Sequence, residues 1–187
     1  MKPTARTILT LVLATAAALP LPAADITLTA DTVIAPDDRT LDGARLTVSA
    51  ATLTVDGPHA FESLTLTNGA VLTHPAASAG TAHALTVTIT NALAIAADSV
   101  IDVTGKGYPE GYTVGYTTAG ASTLRSGGSH GGIGAPALGV SGPAYGDYRR
   151  PRHPGAGAGT SSYGGSGGGV IALTAGAVRV HGAIRAD

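Results

Sequence analysis

The chain has 187 residues, a formal net charge of −1 and only 12% charged residues, so its bulk charge points to neither a nucleic-acid surface nor an anionic-membrane surface. It has no cysteine, which excludes disulfides and thiolate metal sites. It has no tryptophan and one phenylalanine, so any core must be built mainly from aliphatic side chains.

The first 24 residues have the order of features found in a secretory signal peptide. Lys2 and Arg6 precede an apolar stretch at residues 8–19, and small residues follow within 21–24. The stretch is shorter than the roughly 20 residues that a membrane-spanning helix needs. We therefore predict a signal peptide at 1–24 and one domain at 25–187, secreted or at the cell surface and without a membrane span. A buried N-terminal helix is the alternative.

Threonine and aliphatic residues alternate along much of the remaining chain. In a strand, this period of two places the aliphatic side chains on one face and the threonines on the other. The pattern predicts an all-β fold whose aliphatic side chains share one interior. The predicted strands lie near Leu46, Leu53, Leu64, Val71, Leu85, Leu93, Val100, Val170 and Val178.

The spacing of equivalent strand starts indicates a repeat of about 20 residues. Leu46 and Leu64 are 18 residues apart, and Leu64 and Leu85 are 21 apart. Leu85 and Val170 are 85 apart, but 65 of these residues form a glycine-rich insertion at 105–169, which leaves 20. We predict a right-handed parallel β-helix, a β-solenoid of stacked coils interrupted by this insertion. A β-sandwich is the alternative.

This repeat makes two further predictions about pairing and about the end of the chain. Residues 85–89 should pair with 64–67 on one side and with 170–173 on the other. The last coil stops before its turn at Asp187, which should leave an open strand edge. We expect further coils of the same or another chain at that edge, and we expect the chain to be a fragment of a longer protein.

The insertion differs from the rest of the chain in composition. Residues 105–169 contain 21 of the 27 glycines and all six tyrosines. Composition of this kind permits disorder, but its larger side chains could pack along the coils. We expect a partly ordered surface loop in which the tyrosines, Leu124, Ile133, Leu138 and Val140 make those contacts.

Several short runs of the insertion and its flanks carry a resemblance to a known class of protein. They are Val-Thr-Gly-Lys-Gly at 103–107, Gly-Gly-Ser-His-Gly-Gly at 127–132, Arg-Arg-Pro-Arg-His-Pro-Gly at 149–155 and Gly-Gly-Ser-Gly-Gly-Gly-Val-Ile-Ala-Leu at 164–173. About residues 85–187 resemble the glycine-rich modules of very large exported bacterial proteins of β-helical, adhesin-like type, similar to autotransporter passengers. The resemblance implies export and a parallel β-helix, and it carries over no catalytic residue.

The densest aromatic and basic cluster of the chain lies in the insertion and consists of Tyr145, Tyr148, Arg149, Arg150 and Arg152. Arginine stacks on aromatic faces and binds carboxylates, so these residues could contact an acidic glycan or a protein surface. Alternatively, they fix the loop to the coils.

His130 stands among glycines whose backbone N–H groups could bind an anion, although a solvated histidine is the simpler interpretation. The spacing of His130, His153, Asp147 and Glu110 matches no metal motif, so no metal and no cofactor is expected.

Enzymatic activity is a weaker interpretation of the same sequence. Many β-helices act on polysaccharides, but fold does not imply function. Asp98 and Asp102 are the only close carboxylates on a predicted coil, and hydrolysis of a glycoside needs two. We expect a non-enzymatic structural or adhesive segment of a secreted or cell-surface bacterial protein. A polysaccharide-active enzyme and a small glycan-binding module are the alternatives.

Overall fold

The computed structural model describes residues 23–78, 80–160 and 164–187, so all but the last two residues of the predicted signal peptide lie outside the described residues. The regular structure within these ranges is all β. The strands are β1 (Asp25–Leu28), β2 (Thr32–Ile34), β3 (Arg45–Ser49), β4 (Thr52–Val55), β5 (Pro58–Phe61), β6 (Ser63–Thr67), β7 (Val71–Thr73), β8 (Leu85–Ile95), β9 (Val100–Asp102), β10 (Ile171–Val180) and β11 (Ala183–Arg185). No helix in the described part of the chain is long and apolar enough to cross a membrane.

The strands form two sheets, and every pairing between named strands is parallel. The first sheet has the order β1-β3-β6-β8-β10, with β5 also paired to β8, and the second has the order β11-β9-β7-β4-β2. The chain therefore visits the first sheet and then the second on each pass, and each pass lies beside the one before it.

The register places chemically similar residues in columns across the sheets. Ile26, Leu46, Leu64, Leu93 and Val178 are consecutive partners in the first sheet. Leu46 and Leu64, the equivalent strand starts 18 residues apart, are direct partners. Because side chains alternate between the two faces of a strand, this register puts each aliphatic column on the inner face.

The predicted partner of residues 85–89 was wrong on one side. They pair with β5 instead of with 64–67, while β6 pairs with the second half of β8 through Leu64 and Leu93. The other predicted neighbour, 170–173, is close to the observed one, which begins at Ile171. The physical reason is the additional strand β5, which lengthens that pass and lacks the threonine alternation of the other strands. Its buried residues are His59 and Phe61.

The aliphatic side chains share one interior, as the alternation predicts. A single cluster of buried hydrophobic residues includes inner-face residues of both sheets, and Leu53, Leu64, Leu66 and Leu72 have no exposed surface. The last pass is covered least, since Val178 of β10 is 58% exposed. The outer edges of β10 and β11 are therefore the open end of the sheets.

Candidate functional site

The glycine-rich insertion leaves and rejoins the sheets at neighbouring positions. The N–H of Gly169 donates to the carbonyl of Val103 (2.9 Å), and the N–H of Gly105 donates to the carbonyl of Asp187 (2.8 Å). Lys106 Nζ also donates to the carbonyl of His74 (2.6 Å). These bonds fix both ends of the insertion to the last three passes of the sheets.

Extended segments of the insertion lie side by side and bond through their backbones. Tyr108 N–H donates to the carbonyl of Gly155 (3.0 Å), and Gly167 N–H donates to the carbonyl of Tyr108 (3.0 Å). Gly157 N–H in turn donates to the carbonyl of Tyr112 (3.0 Å). The stretches around 107–112, 155–159 and 165–168 thus satisfy each other's polar backbone groups outside any named strand.

Glycine is required where these backbones approach one another. A Cβ atom on Gly107 would come within 3.0 Å of the carbonyl oxygens of Gly155, Gly167 and Gly168. A Cβ on Gly157 would clash in the same way with the carbonyl of Pro109. The glycine content that permits a disordered loop instead serves close backbone packing.

Buried serines join an outer layer of the insertion to the rest of it. This outer layer consists of residues 133–142 and of the segment 123–124 that bonds to them. Ser129 Oγ donates to the carbonyl of Gly142 (2.6 Å) and accepts the N–H of Gly134 (3.1 Å). Ser122 Oγ likewise accepts the N–H of Gly142 (3.1 Å). The stretch 133–142 is therefore fixed by side-chain hydroxyls as well as by backbone bonds.

The apolar side chains of this outer layer do not pack along the coils as expected. Leu124 is 51% exposed, and Ile133, Leu138 and Val140 are between 65% and 73% exposed. Backbone bonds hold this layer, such as that from Thr123 N–H to the carbonyl of Val140 (2.9 Å), so its side chains are free to point outward.

Two of the predicted site residues, His130 and Tyr145, contact each other. Their rings meet edge to face with centroids 5.2 Å apart. The Tyr145 hydroxyl donates to the carbonyl of Pro154 (2.5 Å), and the Tyr145 carbonyl accepts the N–H of Gly131 (2.6 Å). Burial raises the pKa of Tyr145 above its ordinary value. These contacts hold the loop together.

His130 is partly exposed, but one of its ring nitrogens is shielded from solvent. Its Nε2 atom is buried and has no hydrogen-bond partner among the described residues. A Cβ on Gly146 would come within 3.0 Å of that nitrogen, so the glycine lets the ring fit there. His130 and His153 both line one cavity.

The remaining predicted site residues lie on the surface. Tyr148 is 69% exposed, and the Arg149 guanidinium carbon lies 5.3 Å from the centre of its ring. Arg150 and Arg152 are also exposed. The Asp147 carboxylate accepts the N–H of Arg149 (2.8 Å), and this bond shapes the turn. The structure thus divides the predicted cluster into an inner pair, His130 and Tyr145, and an exposed group.

The carboxylates considered for catalysis are engaged in local hydrogen bonds. Asp102 Oδ1 accepts the N–H of Thr104 (2.8 Å), and Asp98 Oδ1 accepts the hydroxyl of Ser99 (3.1 Å). The hydrogen bonds from Thr104 hold the pKa of Asp102 below its ordinary value. A general acid needs the opposite shift, so Asp102 is poorly suited to that role.

The sequence analysis missed a polar cluster between the early passes. His59, whose side chain is fully buried, has Nδ1 3.0 Å from Asp42 Oδ1 and Nε2 3.1 Å from the carbonyl of Asp56. Arg39 Nη1 donates to Asp42 Oδ2 (3.2 Å), and His83 Nδ1 lies 2.8 Å from Asp56 Oδ1. Polar residues near one strand, β5, were the only sequence signal for it. The cluster connects successive passes through polar contacts.

Within residues 23–78, 80–160 and 164–187, no group of three or more histidine, aspartate or glutamate side chains is placed to hold a metal ion.

Comparisons of the chain with protein-family models, with curated proteins and with solved structures find no match.

Proposed function

We propose that the chain is a non-enzymatic structural or adhesive segment of an exported bacterial protein, folded as a right-handed parallel β-helix. The observation that carries this proposal is the continuous parallel register through five passes of the first sheet. Both sheets are parallel and enclose one core, and the chain passes from one sheet to the other between successive strands. This arrangement supports stacked coils over an antiparallel sandwich. The right hand follows from the strong preference of parallel crossovers.

The open end of the sheets supports a role as one part of a longer stack. Val178, Val180 and Ile184 of the last pass are 58%, 43% and 47% exposed. Exposed strand edges with apolar residues pair readily with other strands. We propose that further coils, of the same or another chain, cover β10 and β11 and extend the aliphatic columns.

The adhesive part of the proposal rests on the insertion. The sheets are covered on the outside by short polar side chains, whereas the insertion presents Tyr148, arginines and the four exposed aliphatic residues of its outer layer. A loop that a rigid body holds in place is a common location for binding residues. A small glycan-binding module is the second candidate function, because the exposed arginines border surface concavities.

The location of the protein is also a proposal. The charged, apolar and small residues of 1–24 support export and cleavage, followed by secretion or display at the cell surface. Intact-mass measurement of protein from the periplasm or medium tests this. Recovery of product that still carries residues 1–20 would contradict it.

Adhesion is tested by attaching residues 25–187 to beads and measuring their adherence to cells and to a glycan array. The matched variant replaces 105–169 with a short Gly-Ser linker, and circular dichroism confirms that its β structure persists. We expect adherence to fall to background in this variant. Unchanged adherence would show that the coils carry the contact surface. Absence of adherence in both proteins would leave only the structural role.

The enzyme alternative has its own test on the same material. Turnover of a panel of polysaccharides is measured for the unaltered chain and for variants Asp98→Asn and Asp102→Asn. Turnover that disappears in either variant would overturn the non-enzymatic proposal.

A further inference from the structure

Three concavities meet at the exposed segment Arg150–His153. One of about 530 Å³ is lined by Pro151 and His153 together with Val170 and Ile171. A second of about 380 Å³ is lined by Gly146, Asp147, Arg150, Arg152 and His153. A third of about 530 Å³ lies between this segment and the β10 end of the first sheet. The segment therefore forms a ridge with a recess on each side.

The guanidinium groups on this ridge are available to a ligand. The ion pairs recorded among the described residues involve Arg39, Arg45, His59 and His83, and none involves Arg150 or Arg152. Among the described residues, Asp147 is the one carboxylate that lines these three concavities, and one of its oxygens accepts the Arg149 N–H. In a protein with a net charge of −1, the two arginines of this ridge thus outnumber the one neighbouring carboxylate.

The floor of the third concavity suits the apolar face of a sugar ring. It is formed by small and aliphatic residues: Ala84, Thr86, Val170, Ile171, Ala172 and Leu173. Pro151 supplies further flat surface beside the arginines. Arginine side chains bind carboxylates and sulfates through two parallel hydrogen bonds. An acidic sugar could therefore place its ring on the apolar floor and its charged group on the neighbouring arginines.

We propose that the Arg150–His153 ridge binds an acidic polysaccharide, with uronate or sulfate groups on Arg150 and Arg152 and sugar rings in the adjoining concavities. The inference rests on the proposed adhesive function and names the ligand class for its insertion. An acidic protein surface is disfavoured, because aspartate and glutamate, the residues that would have to pair with the arginines, are depleted at protein interfaces. Here the arginines are central, and recesses of a few hundred Å³ surround them.

The test measures binding of residues 25–187 to polygalacturonate, to a sulfated galactan and to neutral dextran at about 50 mM salt. The double variant Arg150→Gln/Arg152→Gln should bind the acidic polymers about tenfold more weakly, since charged hydrogen bonds are lost. The control Arg179→Gln/Arg185→Gln makes the same change in net charge on β10 and β11 and should bind like the unaltered chain. Higher salt should weaken binding to the acidic polymers.

Each other outcome would overturn the proposal in a distinct way. Equal weakening in both double variants would assign binding to bulk charge. If the chain bound a polyglutamate-rich protein but neither acidic polymer, the ridge would be assigned to protein recognition. The chain could also bind no anion while the adherence of the beads still depends on 105–169. This result would reject the acidic-sugar inference and leave the adhesive function intact. Adherence independent of 105–169 would instead reject the adhesive role of the insertion.

Discussion

The stacked strands and the glycine-rich insertion both pair their backbones, but they are held together by different means. In the sheets, hydrogen-bonded strands enclose an aliphatic core that includes the fully buried Leu64 and Leu66. In the insertion, backbones touch directly at glycines such as Gly107 and Gly157, and the larger apolar side chains Ile133 and Leu138 point outward. Stability in the sheets depends on large buried side chains, whereas in the insertion it also depends on the absence of a side chain at these glycines.

The largest expected effect is in the core of the sheets. Leu66 has no exposed surface and lies in the column between Val48 and Ile95, so Leu66→Ala should lower the free energy of unfolding by about 2–5 kcal/mol. Denaturant unfolding measures this. Thr65→Ala, on the outer face of the same strand, should change the value by about 0.5 kcal/mol or less. Equal effects would contradict the assignment of the inner face.

The reverse experiment enlarges a side chain in the insertion. Gly157→Ala places a methyl group against the carbonyl of Pro109 and should destabilise the insertion by about 1–3 kcal/mol. Gly165→Ala is the matched control, because nothing lies within 4 Å of the added methyl group. Hydrogen–deuterium exchange of peptides from 105–112 and 155–160 should rise in the first variant only. Similar exchange in both would indicate a loosely packed loop.

The sequence predicts the two regions unequally for a physical reason. Alternating threonine and aliphatic residues report directly on a half-buried strand, so the strands around Leu46, Leu64 and Leu93 could be predicted from their patterns. The strand β5 escaped because its buried His59 does not look apolar. In the insertion, glycine permits both disorder and close packing, and only the neighbouring backbone decides between them.

The predicted site shows the same limit. Residue type identified the aromatic and basic cluster, but it could not separate Tyr145, which bonds to Pro154, from the exposed Tyr148. Burial of that kind depends on how distant segments of the insertion stack. The polar cluster of Arg39, Asp42 and His59 likewise depends on contacts between separate passes.

A smaller effect should separate the two tyrosines. Tyr145→Phe leaves the buried carbonyl of Pro154 without its donor and should cost about 0.5–1.5 kcal/mol. Tyr148→Phe removes a hydroxyl from a residue that is 69% exposed and should cost almost nothing. Thermal unfolding followed by tyrosine fluorescence compares them. If Tyr148→Phe were the more destabilising, the division of the cluster would be wrong.

The smallest expected effect is a dependence of stability on pH at the junction of the two regions. Burial lowers the pKa of His74 below its ordinary value of 6.5, and the nearby charge of Lys106 lowers it further. Below pH 6.5 the unfolded chain therefore binds a proton at this residue more readily than the folded chain does. Stability should be unaffected by His74 above that pH and should fall as the pH decreases through it.

The variant His74→Asn isolates this contribution, because an amide can still donate to the carbonyl of Pro75, which accepts from His74 Nδ1 at 2.6 Å. The measurement is the difference in unfolding free energy between pH 7.5 and pH 5.5, determined for both proteins in urea. We expect a smaller difference in the variant than in the unaltered chain. An identical difference would show that His74 takes up its proton as easily in the folded chain as in the unfolded one, which would require water to reach the buried Nε2 at the base of the insertion.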